Sequence, residues 1–327
     1  MTTDNLLALP FDIYQRYLAA AQVAERARAH LGRSHLRVLD VGGFGLTRDG
    51  DAFLPLAGFL PDDHIIAVDL AEASMAGYAV GSGLSLPFPD KSFDVAISCD
   101  TFEHVPSADR PDFIDQLLRV STHYIVLIAP FDSDLNRQAE RVLYDYIAAQ
   151  GLHNPMLQQH LENGLPSVQR LEAVLAERHL TFVNLADGYL PHWLVMMLIT
   201  LTAGQSLDFA LGLNRCYNRH LSPGDRREPA YRRVIIVAQP GNEEPLSELA
   251  SPFSLQDPAS VVRDLDFAAD LAKLLIQSRP EADRARARLA ILEAENVYLR
   301  QVVAGYEKGR FIKLMRKVRT WRDKAGF

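Results

Sequence analysis

The chain has 327 residues, 48% of them hydrophobic and 23% charged, with a formal net charge of −7. That composition excludes a disordered, collagen-like or disulfide-scaffolded chain and provides enough apolar material for one sizeable domain with an appendage. Two cysteines, Cys99 and Cys216, fit a reducing, cytoplasmic setting. The opening Met-Thr-Thr-Asp-Asn-Leu-Leu lacks the basic and apolar regions of a secretory signal, so no export is expected.

Phe11, Tyr14, Leu18, Ala21 and Val23 recur at helical spacing and predict a helix over residues 11–32. Leu36 to Val41 is an apolar run ending in Gly42, Gly43 and Gly45. This is the pattern of a buried parallel strand opening into a tight loop that a ligand can approach. Pro55 and Gly58 interrupt the following apolar stretch, so the crossover helix there is expected to be short or kinked. His64 to Leu70 reads as a second buried strand ending in Asp69, a carboxylate placed to accept from both hydroxyls of a ribose. Two strand ends thus converge on one nucleoside. The nicotinamide fingerprint G-x-G-x-x-G is not met, because Arg48 stands where the third glycine belongs.

Val38-Leu-Asp-Val-Gly-Gly-Phe-Gly, Ile65 to Leu70, and Leu86-Pro-Phe-Pro-Asp-Lys-Ser-Phe-Asp-Val-Ala-Ile-Ser-Cys-Asp-Thr-Phe-Glu-His-Val-Pro resemble the first, second and fourth-strand motifs of the class I S-adenosylmethionine (SAM)-dependent methyltransferases. The resemblance covers about residues 30–132 and is taken up again by Tyr231 to Ala238, which looks like the family's antiparallel final strand. It implies an α/β fold with a doubly wound, Rossmann-like, mostly parallel seven-stranded sheet and helices on both faces. It also implies SAM as cofactor. Gly42, Gly43 and Gly45 then shape the loop around the methionine part, Asp40 sits near its amino group, and Asp69 with Leu70 meets the ribose. Ser82, Gly83 and Leu84 face the adenine, while Cys99 and Asp100 end the fourth strand where the methyl group meets its acceptor. Capping of the following turns is the alternative role for Asp40 and Asp69. Two positions depart from the family pattern: Phe44 replaces a frequent glycine, and Ser82 a frequent acid.

Phe93 to Cys99 is the expected fourth strand, followed by a turn over residues 100–105. A helix carrying Phe113, Leu117, Leu118 and Val120 comes next, then a fifth strand over 124–129 and a helix from Asp132 to Ala149. Residues 154–166 are expected to form a loop and short helix over the site. Ser167 caps a further helix, and residues 179–185 form a sixth strand. Residues 193–204 carry no charge but fall short of the roughly 20 residues that span a bilayer, so they predict a buried or lid helix. Methyl transfer from a sulfonium is an in-line displacement that needs positioning rather than a nucleophilic side chain. An oxygen acceptor must still lose its proton. His104 is the first candidate base and His160 the second; a backbone-bonding role for His104 and a surface position for His160 are the alternatives. Asp132 and Asp134 read as helix caps, and no metal is expected.

The methyltransferase-like domain is assigned to residues 1–240, with substrate-side elements over 130–230. Pro240, Pro245, Pro252 and Pro258 mark a linker over 241–262, and a helical stalk and tail fill 263–327. Ala282, Ala285, Leu289, Leu292, Asn296, Leu299, Val303 and Tyr306 form a heptad seam that predicts a homo-oligomer through residues 282–306; a helix folding back on the body is the alternative. Residues 308–327 hold eight basic side chains and one acid, so the preceding chain carries −14. Phe311, Leu314, Met315, Val318 and Trp321 share one face of this tail. That suits an anionic membrane surface better than nucleic acid, with a solvated basic helix end pairing with the acidic body as the bland reading.

The resulting expectation is a SAM-dependent O-methylation of a sugar or lipid-linked glycan by a cytoplasmic protein peripheral at the inner membrane face. A methyltransferase of diffusible small molecules is one rival. A catalytically weak scaffold that recruits a glycan-synthesis partner through its coiled coil is another, and a Rossmann oxidoreductase is a distant third.

Overall fold

The computed structural model of the chain describes residues 3–47, 50–201, 207–253 and 281–308. Helices α1 (Thr3–Leu7) and α2 (Phe11–His30) lead in. Ala19, Ala20, Val23, Ala24 and Ala27 of α2 are fully buried, and their small side chains let the helix lie close on the sheet. The strands are β1 (Arg37–Val41), β2 (Gly45–Leu46), β3 (Ala52–Phe53), β4 (His64–Asp69), β5 (Tyr78–Val80), β6 (Phe93–Cys99), β7 (Ser121–Pro130), β8 (Thr181–Tyr189) and β9 (Ala230–Ala238). Seven of them form one sheet in the order β5-β4-β1-β6-β7-β9-β8, while β2 and β3 make a separate two-stranded ribbon.

Strands β5, β4, β1, β6 and β7 are mutually parallel, and β9 lies antiparallel between β7 and β8. The chain steps outward from β1 through β4 to β5, then returns to the other side of β1 with β6. The strand order therefore reverses between β1 and β6, and ligands of open α/β sheets bind beyond the carboxyl ends of strands at such a point. All seven residues of β6 are buried, as a central strand between two helical layers requires; Asp94 near its start pairs with Arg33 and Arg37. This is the doubly wound architecture that the sequence predicts.

On one face α2 covers Val38, Val95, Ile97 and Val126. On the other, α4 (Arg110–Val120) and α7 (Val168–Glu177) pack Phe113, Leu117, Leu171 and Leu175 against Leu39, Ala96 and Ile125. Helix α3 (Pro55–Phe59) is as short as Pro55 and Gly58 imply. Helices α5 (Asp134–Ala149), α6 (Pro155–Asn163), α8 (Leu190–Thr200) and α9 (Leu207–His220) complete the body. Helix α8 is a core element, not a lid: Trp193 stacks on Tyr231 with ring centroids 3.5 Å apart.

Residues inside the expected linker belong to the body. Helix α10 (Leu246–Leu249) and the turn Ser251–Phe253 bury Leu246, Leu249 and Phe253 in the α2-side core. The remainder of that linker, residues 254–262, lies outside the described residues, as do 263–280. Helix α11 (Glu281–Lys308) is continuous across the predicted seam. Its early part folds onto the body, with Ala287 buried and Ile291 against the cluster of Trp193 and Leu143. Leu289, Leu292 and Leu299 remain exposed. The basic tail beyond Lys308 lies outside the described residues. Among the described residues, no helix is long and apolar enough to cross a membrane.

Candidate functional site

The end of β1 builds the first wall. Gly42 adopts φ +82°, and a Cβ there would fall 1.9 Å from Thr101 Oγ1, so only glycine lets the loop pass the end of β6. At Gly43 a Cβ would fall 2.3 Å from the Asp40 carboxylate. Asp40 is fully buried, and apart from the pull of the Tyr17 hydroxyl its carboxylate finds no donor at ordinary hydrogen-bond geometry among the described residues. Burial pushes its pKa up to about 7, against the pull of nearby Tyr17 and Arg16. An orphaned carboxylate behind a loop without side chains is a cradle that fits a small cation such as an ammonium. Gly45 differs from its two companions: it sits in β2, and the ring of Phe53 fills the space its Cβ would need.

The end of β4 builds the second wall. Asp69 accepts from the Ala71 backbone N–H at 3.2 Å. Burial raises its pKa, and the N–H groups of Ala71, Leu70 and Phe44 counter that shift. The backbone at Phe44 thus ties the glycine loop to Asp69, while the Phe44 ring lies 5.5 Å from that of Tyr78. Leu70 is largely exposed beside it. Gly81 N–H donates to the Asp69 carbonyl at 2.9 Å and brings the next loop alongside. There Ser82 bridges to Ser85, and its Oγ accepts from Leu84 N–H at 3.2 Å. Gly83 packs against Phe113, and Leu84 is partly exposed. The structure brings Asp40, Gly42, Gly43, Asp69, Leu70 and the 82–84 loop to the carboxyl ends of adjacent strands.

Cys99 and Asp100, at the end of β6, are held by contacts of their own. Cys99 is a buried core side chain. Asp100 is bound on both sides: Arg232 Nε and Nη2 donate to it at 2.7 and 2.6 Å, and Arg16 Nη1 at 2.8 Å. Burial pushes its pKa up, but Arg232 and Arg16 outweigh burial and hold it at about 2. The φ of +46° at Asp100 turns the chain out of β6 into a 3-10 turn, Phe102–His104. Arg110 clamps that turn by donating to the carbonyls of Val105 and Glu103 at 3.1 and 3.3 Å.

The two candidate bases meet across this turn. Asn154 caps α6 through Leu157 N–H at 3.0 Å, with Pro155 at the first helical position. Helix α6 then carries Gln159 and His160 over the turn, placing the His104 and His160 rings 5.1 Å apart. His160 is therefore an interior residue rather than a surface one. Its Nδ1 lies 2.9 Å from Glu140 Oε1, which also accepts from the Tyr231 hydroxyl at 2.9 Å. His104 Nδ1 lies 3.0 Å from Gln159 Oε1. Burial lowers the pKa of His104, with His160 adding to the shift. Glu103 beside them is buried, which together with Asp100 raises its pKa well above the ordinary carboxylate range. Asp132 and Asp134 pair with Arg137 on the surface and take no part.

Sequence reasoning missed Glu103, Glu140, Tyr231, Arg16 and Arg232 as members of this region. Arg16 and Arg232 carry one legible signal: each is a charged residue inside an otherwise apolar helix face or strand.

The sequence profile of a methyltransferase domain family matches residues 48–123. Ajmaline N-methyltransferase of Rauvolfia serpentina is 32% identical over 96 residues, covering 25% of this chain and 32% of that protein. The chain thus spans about a third of the length of that curated relative. A solved SAM-dependent methyltransferase of Thermotoga maritima shares 14% identity over 69% of this chain and 91% of its own, with a TM-score of 0.40. The YcgJ protein of Bacillus subtilis shares 13% identity over 67% of this chain and 97% of its own, with a TM-score of 0.38. The matched stretch runs from the loop before β3 to the start of β7, within the parallel part of the seven-stranded sheet.

Proposed function

We propose that this chain is a SAM-dependent methyltransferase acting on a hydroxyl of a sugar or lipid-linked glycan. The observation that carries the methyl-transfer reading is the pairing of the orphaned Asp40 carboxylate behind Gly43 with Asp69 at the neighbouring strand end. SAM supplies an electrophilic methyl group on a sulfonium. Asp40 faces its ammonium group, Asp69 accepts from its ribose hydroxyls, and Leu84 offers an apolar contact to its adenine. Tight positioning by these residues supplies most of the rate in an in-line displacement.

A hydroxyl acceptor gives up its proton as the new bond forms, and His104 with His160 at the β6 turn stand ready to take it. Glu140 and Tyr231 orient His160 for that task. The sugar or lipid-linked acceptor is supported by the exposed leucines of α11 and by the basic, amphipathic sequence after it, which suit an oligomer held at an anionic cytoplasmic membrane surface.

Calorimetric titration with SAM and with its demethylated product tests the cofactor site. Wild-type protein should bind both with micromolar affinity, and Asp69→Ala should lose at least about tenfold. Absence of binding to either ligand by folded wild-type protein would falsify the reading. Glycan acceptors are then screened for incorporation of labelled methyl.

A further inference from the structure

Glu103, His104 and His160 each bring a donor atom into a group whose members lie within 4.8 Å of one another. Both imidazoles are oriented from behind. Glu140 only accepts, so the proton of His160 sits on Nδ1 and Nε2 keeps a lone pair. Gln159 Oε1 sets the same tautomer on His104. Nε2 of His160 and Oε2 of Glu103 are buried without a hydrogen-bond partner among the described residues. Their side chains are only 9% and 2% exposed. A ring nitrogen and a carboxyl oxygen left without partners away from water each cost free energy, and one cation bound between them, displacing the carboxyl proton, satisfies both.

We propose that Glu103, His104 and His160 form a binding site for one borderline divalent transition cation, such as Zn²⁺ or Co²⁺. Two imidazoles and one carboxylate are the donor set such ions take, whereas Mg²⁺ and Ca²⁺ prefer oxygen ligands throughout. The carboxylate and amide behind the two Nδ1 atoms are the outer partners that metal-binding histidines use to fix ring and tautomer. Ligation at about 2.0–2.2 Å brings neighbouring donors to roughly 3 Å from each other. His104 Nε2 and Glu103 Oε1 stand 3.9 Å apart, so the group closes by about an ångström. Rotation of His104, 28% exposed at the outer side, accommodates this. The remaining coordination positions are open to water or to an oxygen of a bound molecule, and a hydroxyl held there loses its proton more readily. A bound cation takes the Nε2 lone pairs, so in the occupied site it replaces the two histidines as the group that promotes loss of the acceptor proton; cation binding itself does not depend on the methyl-transfer reading.

The test titrates chelator-treated full-length protein with Co²⁺ alone, read by visible absorption, and with Zn²⁺ alone, read by calorimetry. One equivalent should bind with micromolar or tighter affinity. His104→Gln should weaken binding at least about tenfold and Glu103→Gln likewise, while His220→Ala, exposed on α9, leaves it unchanged. His104 is partly exposed, so its replacement leaves the fold intact, as circular dichroism will verify. The site is overturned if folded wild-type protein shows no saturable binding, or if His104→Gln binds as wild type does. Asp69→Ala should bind Co²⁺ normally. Protein that binds Co²⁺ but not SAM supports this site and rejects methyl transfer; protein that binds SAM but not Co²⁺ does the reverse.

Discussion

The carboxylate of Asp100, where the chain leaves β6, and the guanidinium of Arg232 in β9 are joined by two hydrogen bonds of 2.7 and 2.6 Å. The Arg232 side chain is 3% exposed and that of Asp100 16%. Removing Arg232 costs the buried Asp100 carboxylate two charge-assisted hydrogen bonds and leaves it the bond from Arg16, a loss of about 1.5–3 kcal/mol. Arg232→Ala should therefore unfold at markedly lower urea concentration than wild type. An unchanged midpoint would show that the pair contributes nothing to stability.

Stability should respond to pH in two opposite ways. Burial raises the carboxyl pKa of Asp40 and of Asp187 to about 7, so the fold favours their protonated forms. Their contribution is fully present below the unfolded value near 4 and is lost as pH rises through about 7. Asp100, held at about 2, contributes above the unfolded value and loses that contribution as pH falls toward 2. Urea denaturation between pH 4 and 8 should show a decline that is flatter in Asp40→Asn and in Asp187→Asn.

SAM affinity should carry the mark of Asp40 as well. In the proposed binding mode its ionised form faces the ammonium group, so affinity should rise roughly fivefold between pH 6 and 7. Calorimetry in two buffers of different ionisation enthalpy should also record proton release at pH 6. Flat affinity over this range would remove Asp40 from the binding site.

Leu249 is fully buried in the α2-side core, although it lies in a stretch rich in helix breakers. Leu249→Ala should destabilise the body by about 2–5 kcal/mol. A chain ended after residue 253, which loses the α11 contacts of Ala287 and Ile291, should still be clearly more stable than one ended after residue 240; equal melting temperatures for the two would return the segment to linker status.

Leu292 and Leu299 are exposed on α11 with Asn296 between them in the heptad pattern. The double change to glutamate should reduce an oligomer to monomer in light scattering, without lowering the melting temperature of the body. A wild-type chain already monomeric at high concentration would reject the stalk.

Elements dictated by local pattern were legible in the sequence. The apolar runs of β1, β4 and β6, the glycines between them and Ser167 at the start of α7 each announce themselves within a few residues. The three-residue edge strand β5 was not, because too few residues alternate to give a period. Helix α9 was missed within a stretch of mixed polarity. The site divides along the same line. Asp40 and Asp69 sit at the carboxyl ends of β1 and β4 and could be placed, whereas the bonds from Asp100 to Arg16 and Arg232 join residues 84 and 132 positions apart. Nothing local marks such partners. His160 looked like a surface residue because its burial depends on Glu140 and on the docking of α6 over the turn.

Neighbouring residues of β9 serve the two halves of the site separately. Tyr231 reaches Glu140 and so steadies His160, while Arg232 reaches Asp100 at the foot of the turn. Successive residues of a strand project to opposite sides, so a one-residue slip of β9 would exchange both contacts at once. The strand is thus an alignment gauge between the cofactor wall and the histidine pair. A chimera that borrows it from another protein must bring partners for both positions, or lose the relation between the two halves.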